Sequence, residues 1–427
     1  MAKKIVTIDE IEYALKDFAK TDKINEKNPY LKNNKNFKNP LDDSRKFLKE
    51  KIEEFLIDLE NGNSKFSWID KLMGEKNTDE EDKDKIANIH YGLPSHIHGN
   101  YRDGLIYLCL FNPNVVEIQD SNLIYKSEKS KKKSTKICSI KDYYTKPPMV
   151  EGKNDLANEE FWTIINGYKT WYKNEKKEEN INKLVDIIIS EESTLTKELK
   201  NMDKDHYYID KYYKVLKEEV IDNIESDAEK YRITDRIVNI DLCPFRAKKS
   251  EVITDEILDT KFSEFSAYII LYRIGKYLND LDEFRNDERK YLEKPVFIFR
   301  SYGEWYKKIF KCLKEIIKNE NNIKLTDEII KEYLTMIRGD YFYYFPNQGA
   351  IISQKNLRKF VTKDEFDGIK GLISKQNWKN KYILSFWNFS NLIKQPLPIP
   401  TEVEGSLWIG THREIFLTWW VFISSLL

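Results

Sequence analysis

Three polar turns in this 427-residue chain stand immediately after short apolar runs, and they carry most of its chemically useful side chains. Asn112-Pro113-Asn114 follows the run LIYLCLF (Leu105–Phe111). Asp241-Leu242-Cys243-Pro244-Phe245 closes the run that begins at Ile237. Pro346-Asn347-Gln348-Gly349 follows YFYYF (Tyr341–Phe345) and leads into Ser353. A rigid turn after a buried strand can aim a polar side chain into a cleft. A carboxylate such as Asp241 there either caps a turn or faces a ligand. Each turn also has a purely structural reading, because Asn and Pro end strands for backbone reasons alone. His90, His96 and His98 lie just before the first run. The His96-x-His98 spacing can bind metal, but apart from Asp103 no carboxylate or cysteine nearby completes a ligand set, and no metal is expected.

The elements that must position these turns alternate between strand and helix. Leu105–Phe111, Ile237–Leu242, Val296–Arg300 and Tyr341–Phe345 are short, nearly continuous apolar runs, as expected of strands covered on both faces. Helical patterns follow near Phe262–Leu278 and Trp305–Ile317. This alternation predicts an α/β fold with a mostly parallel four-stranded central sheet and flanking helices, whose ligands sit at the carboxyl ends of the strands. Residues 1–95 read as a helical region: Thr7 precedes apolar positions as a capping residue, and Ser44–Leu59 carries apolar residues at helical spacing. The α/β core spans 96–360, interrupted by a charged, mostly helical insertion at about 126–230, and 361–427 forms a C-terminal extension. A helix is expected to begin near Ser353.

The turns occur in an order that resembles the uracil-DNA glycosylase superfamily. YLCLFNPN is similar to the family's first motif, a strand ending in an Asn-Pro turn whose Asn positions the attacking water. DLCPF is similar to the Asn-Leu-Cys-Pro motif of the single-strand-selective branch, whose Asn reads the flipped base. VFIFRSYGEW stands where the strand and turn before the last motif are expected. PNQGAIIS resembles the loop that presses on the minor groove in the mismatch-specific branch. The resemblance implies a glycosylase-like fold and hydrolysis of a base–sugar bond without cofactor or metal. It assigns Asn112 and Asp241 as catalytic residues. Base and DNA contacts fall to Pro113, Asn114, Asn347, Gln348 and Ser353; beside the resemblance, Phe245 is a candidate stacking residue and Arg246, just past the second motif, can extend a basic patch. Two departures stand out: Asp241 replaces the base-reading Asn, and Gly349 replaces a loop Ser. An ionised Asp only accepts hydrogen bonds and therefore suits the amino group of cytosine rather than uracil. If burial protonates it, it can donate to the departing base. Excision of modified cytosines from viral DNA, an anti-phage role, accounts both for this change and for the helical additions.

The 71 basic and 71 acidic residues cancel, so DNA contact must come from local patches. The run Lys126–Lys136, with six lysines including Lys131, Lys132 and Lys133, is the main candidate. It reads equally as a solvated loop. Phosphate loops, nucleophile elbows and His-Glu-x-x-His are absent from the sequence, which removes ATPase, serine hydrolase and zincin readings. Cys109, Cys138, Cys243 and Cys312 form no Cys-x-x-Cys pair and read as reduced, buried thiols of a cytoplasmic protein. The N-terminal stretch lacks the apolar core of a signal peptide, and Ile415–Leu427 is too short to span a bilayer, so no membrane partner is expected. That aromatic segment either packs internally or pairs with a second copy as a homo-oligomer. Two other readings stay open. One is a catalytically inactive nucleic-acid or nucleotide binding module of the same fold, and the other a nucleoside or nucleotide hydrolase with no DNA partner.

Overall fold

The structure, a computed structural model, describes residues 7–21, 23–30, 44–61, 94–113, 177–200, 208–219, 221–245, 253, 255–286, 294–318, 326–345, 351–352 and 357–359. Among these residues the helices are α1 (Ile8–Lys20), α2 (Ile24–Lys27), α3 (Ser44–Asn61), α4 (Lys177–Ile188), α5 (Thr194–Lys200), α6 (Lys214–Glu219), α7 (Asp227–Thr234), α8 (Asp255–Leu258), α9 (Lys261–Asn286), α10 (Tyr302–Lys318) and α11 (Asp327–Tyr341). The strands are β1 (Ile97–His98), β2 (Ile106–Leu110), β3 (Ile189–Ser190), β4 (Ile237–Asp241), β5 (Val296–Phe299), β6 (Phe342–Tyr344) and β7 (Arg358–Lys359).

The strands form one sheet in the order β3-β1-β4-β2-β5-β6-β7. Its centre is the expected parallel set β4-β2-β5-β6. The expected four strands are extended by three two-residue strands: β1 runs antiparallel to β4, β3 joins β1, and β7 runs antiparallel to β6. The insertion thus supplies part of the sheet through β3. Its other described elements, α4 to α7, a π-helical turn at Ile209–Tyr213 and a 3-10 turn at Ile221–Asn223, are helical as anticipated. The helix expected to begin near Ser353 falls on residues outside those described; Arg358–Lys359 pair antiparallel with β6.

Alternation along the central strands divides the core between two faces. Tyr107 and Cys109 of β2, Val238 and Ile240 of β4, and Phe297 and Phe299 of β5 pack on one side with α1, α9, α10 and α11. Ile106, Leu108 and Leu110, with Ile237 and Ile298, pack on the other side with Leu195 of α5, Tyr212 and Tyr213 of the π turn, and Leu216 of α6. Helices on both faces explain why every β2 residue is buried and why the run reads as continuously apolar.

Helix α9 is the central pillar, with Ala267 to Tyr272 buried without interruption. A helix apolar all round must be covered all round. Here α1 lies against it, fixed by a capping box in which the Thr7 hydroxyl accepts from the Glu10 amide and the Glu10 carboxylate accepts from the Thr7 amide. Ile11, Leu15 and Phe18 of α1 share one hydrophobic cluster with Tyr268 and Tyr272 of α9. The helical region at residues 1–95 therefore contributes to the core of 96–360 through α1. The two backbones approach so closely that a Cβ on Gly275 would sit 2.2 Å from the Leu15 carbonyl oxygen.

Of the described elements between β2 and β4, α5, α6 and the π turn pack on the second face and α4 on the first, while α9, between β4 and β5, covers the first. The parallel strands follow the spatial order second, first, third, fourth in chain sequence. The chain therefore reverses its direction of travel across the sheet, leaving a topological switch point beside β2. Such a point opens a crevice outside the carboxyl ends of the strands.

Candidate functional site

Asn112 and Asp241 meet at that edge because of strand register. Leu110, the last residue of β2, lies opposite Asp241, the last of β4. Pairing then continues beyond the strands. The Leu242 amide donates to the Leu110 carbonyl at 3.0 Å, and the Cys243 amide to the Phe111 carbonyl at 2.9 Å. Trp305 of α10 also donates its indole N–H to the Leu110 carbonyl at 3.0 Å, tying the helix after β5 to the end of β2. Pro113 has no N–H to extend the ladder, and the chain turns away. Asn112 is half-buried, and its Nδ2 donates to the Pro113 carbonyl at 2.8 Å. That bond sets the amide plane. The side-chain oxygen is the end able to accept from water.

Asp241 is 1% exposed. Its amide donates to the His96 carbonyl at 2.8 Å, and its carbonyl accepts from Ser266 Oγ at 2.8 Å. Strand alternation puts its side chain on the face of Leu110 and Asn239. Its charge reaches two buried thiols. Burial pushes Cys243 up to about 12 and Cys109 well above its ordinary value, with Asp241 adding to both. With Cys312, these are buried thiols without a disulfide, as the sequence predicts. Cys138 lies outside the described residues.

His96 is fully buried between Tyr30 and Ser266, its Nδ1 2.5 Å from the Tyr30 hydroxyl and its Nε2 2.6 Å from Ser266 Oγ. Because the Ser266 proton goes to the Asp241 carbonyl, Ser266 must accept from His96 Nε2–H, and Nδ1 must accept from Tyr30. The order of donation is therefore Tyr30, His96, Ser266, Asp241. Burial, aided by neighbouring His98, lowers His96 to about 3, so the ring is neutral as this chain requires. Through it the segment after α2 is bonded to the carboxyl end of β4. His98 is bonded to Ser95 Oγ at 2.8 Å. Among the described residues no group of His, Cys, Asp and Glu is arranged to hold a metal.

The face that carries the Asp241 side chain also holds residues that the sequence reading did not assign. Arg300, one residue past β5 and exposed, donates from Nη1 to the Tyr212 hydroxyl at 2.8 Å. Tyr213 donates to Asn239 Oδ1 of β4, and Asn239 Nδ2 donates to Thr194 at 3.0 Å. The Ile352 amide donates to the Tyr212 carbonyl at 2.8 Å, bringing the end of the Pro346–Ser353 segment to the same π turn. The available signals were a charged residue closing the apolar run VFIF, and paired tyrosines inside an otherwise charged segment.

Of the residues singled out from sequence, Asn112, Pro113 and Asp241 converge at this edge. Phe245 is fully buried, its ring edge-on to Phe262 at 5.6 Å, so in this structure core contacts occupy the ring expected to stack on a base. Asn114, Lys131, Lys132, Lys133, Arg246, Asn347, Gln348 and Ser353 lie outside the described residues, as does the segment 361–427. No described helix is long and apolar enough to cross a membrane. No family model matches this chain, and no curated protein or solved structure matches it.

Proposed function

We propose that this chain is a DNA glycosylase of the uracil-DNA glycosylase type, acting on a cytosine-type base flipped out of the stack. The observation that supports this reading is the placement of Asp241 at the end of β4 and of Asn112 two residues past the end of its hydrogen-bonded neighbour β2, at one carboxyl edge next to a topological switch point. In this reading Asn112 orients a water toward the sugar carbon as positive charge builds there, and Asp241 reads and polarises the departing base. An amide cannot take a proton outright, so rate enhancement rests on positioning and on electrostatics in a dry site. Asp241 is closed to solvent in this structure, so a base reaches it only after local rearrangement. Excision of modified cytosine from viral DNA is the biological role we assign to this specificity.

An abasic-site assay tests the proposal. Wild-type protein, Asn112→Ala and Asp241→Asn are incubated with duplex and single-stranded DNA carrying uracil, cytosine, 5-hydroxymethylcytosine or its glucosylated form, then treated with alkali. The expected result is cleavage at modified cytosine that falls roughly 100-fold or more in Asn112→Ala. In Asp241→Asn, preference moves toward uracil. Absence of breaks on every substrate sinks the enzyme reading. The burial of Asp241 favours one alternative, a binding module that retains the fold without catalysis. It predicts DNA or nucleotide binding that survives Asn112→Ala, with no product from either protein.

A further inference from the structure

Arg300 and Asp241 flank β2 at the same level of the sheet. Phe299 pairs with Cys109, and the Arg300 amide donates to the Cys109 carbonyl, so Arg300 comes alongside Leu110, which itself pairs with Asp241. Alternation puts all three side chains on the face that carries the π turn. Two strand spacings separate the Arg300 and Asp241 backbones, about 10 Å. The switch-point crevice opens between β2 and β5, where Asn112 stands on one bank and Arg300 on the other.

The guanidinium is exposed, yet it is not left to wander. Its described side-chain partner is the hydroxyl of Tyr212, a residue 2% exposed and packed near Phe345. That partner is neutral, so the positive charge is directed without being neutralised. Arginine carries five donors in a rigid fork, and one bond to Tyr212 leaves the others to meet a planar or tetrahedral anion. Fixing the fork beforehand reduces the side-chain entropy lost when an anion binds.

We infer that Arg300 is a phosphate-binding residue of this edge, contacting the DNA backbone beside the extruded nucleotide, with Tyr212 as its positioning residue. This rests on the DNA reading proposed above for the identity of the ligand. It gives the insertion a role in the site, since Tyr212 belongs to it and also receives the Ile352 amide.

The test is binding of short fluorescein-labelled DNA, single-stranded and duplex, across a salt series, with wild-type protein, Arg300→Gln, Arg300→Lys and Tyr212→Phe. Loss of one phosphate contact in Arg300→Gln lowers the magnitude of the slope of log K against log salt by about 0.7 on single strands or about 0.9 on duplex. Arg300→Lys retains the slope and loses affinity several-fold, because the point charge remains but the fork does not. Tyr212→Phe weakens binding with the slope retained. Melting temperatures of the Arg300 variants match wild type, which separates binding from folding. A wild-type slope and affinity in Arg300→Gln overturns the inference, as does a wild-type protein that binds neither probe. The abasic-site assay on the same preparations keeps the two proposals apart. Breaks made by wild type together with an unchanged slope in Arg300→Gln remove Arg300 and leave the glycosylase. A reduced slope with no breaks by wild type keeps the phosphate contact and removes the glycosylase.

Discussion

His96 shows how one side chain can make the carboxyl end of β4 sensitive to acid. Its ring must be neutral to accept from Tyr30 while donating to Ser266, and burial lowers its proton affinity to about 3. In the unfolded chain it titrates near its ordinary value, about 6.5. The unfolded state therefore binds more protons between these limits. The stabilisation is fully present above about pH 6.5 and is lost as pH falls toward 3. On the order of 3 kcal/mol is lost from this group between pH 7 and pH 4. Melting curves across that range are expected to show a falling limb that is flatter in His96→Gln. An equal fall in both proteins assigns the acid sensitivity to other groups. The same burial argument explains why the His96-x-His98 spacing, a possible ligand pair on paper, consists here of two histidines bonded to Tyr30, Ser266 and Ser95.

Contact between elements depends on a few close approaches. Where α1 crosses α9, Gly275 admits the Leu15 carbonyl into space that any Cβ would fill. Gly275→Ala is expected to force the helices apart and cost about 1–3 kcal/mol, the usual range for overpacking, even though alanine is the better helix former. Chemical denaturation measures it; a stabilised variant overturns the close-packing account. The central strands were legible because burial on both faces leaves an uninterrupted apolar run. The two-residue strands β1, β3 and β7 were not, since nothing so short carries a period. Helix α11 was readable from Ile330, Tyr333, Leu334 and Ile337 at helical spacing behind the N-cap position Thr326, yet it is missing from the elements expected above. The π turn at Ile209–Tyr213 leaves no sequence signature, because it depends on where Tyr212 and Tyr213 find Arg300 and Asn239.

At the scale of the molecule, the N-terminal segment completes the fold. Ile11, Leu15, Phe18 and Ile24 are each at most 3% exposed. Burying four such side chains contributes about 6–12 kcal/mol, comparable to the whole stability of a typical domain, about 5–15 kcal/mol. Removing residues 1–30 also strips Tyr30 from His96. The truncated chain is expected to lose its cooperative transition and bind ANS. Retention of a wild-type melting temperature would show that the segment is dispensable. A balanced charge likewise says little by itself about DNA. Binding depends on where individual cations stand, and Arg300 stands at the edge while contributing nothing visible to the total.

The residue order alone determined the α/β class, the four central strands, and the turns that end β2 and β4. Each follows from local rules: apolar runs need burial, and Asn, Pro and Gly interrupt ladders. Asn112 and Asp241 were nameable as candidates for the same reason. Tertiary structure decided the strand order that makes Leu110 and Asp241 neighbours, the burial of Asp241 and Phe245, the neutral state of His96, and the pairing of Arg300 with Tyr212. These depend on contacts between residues scores of positions apart. A hydrophobic pattern states that a face must be covered, while only the folded chain settles which element covers it.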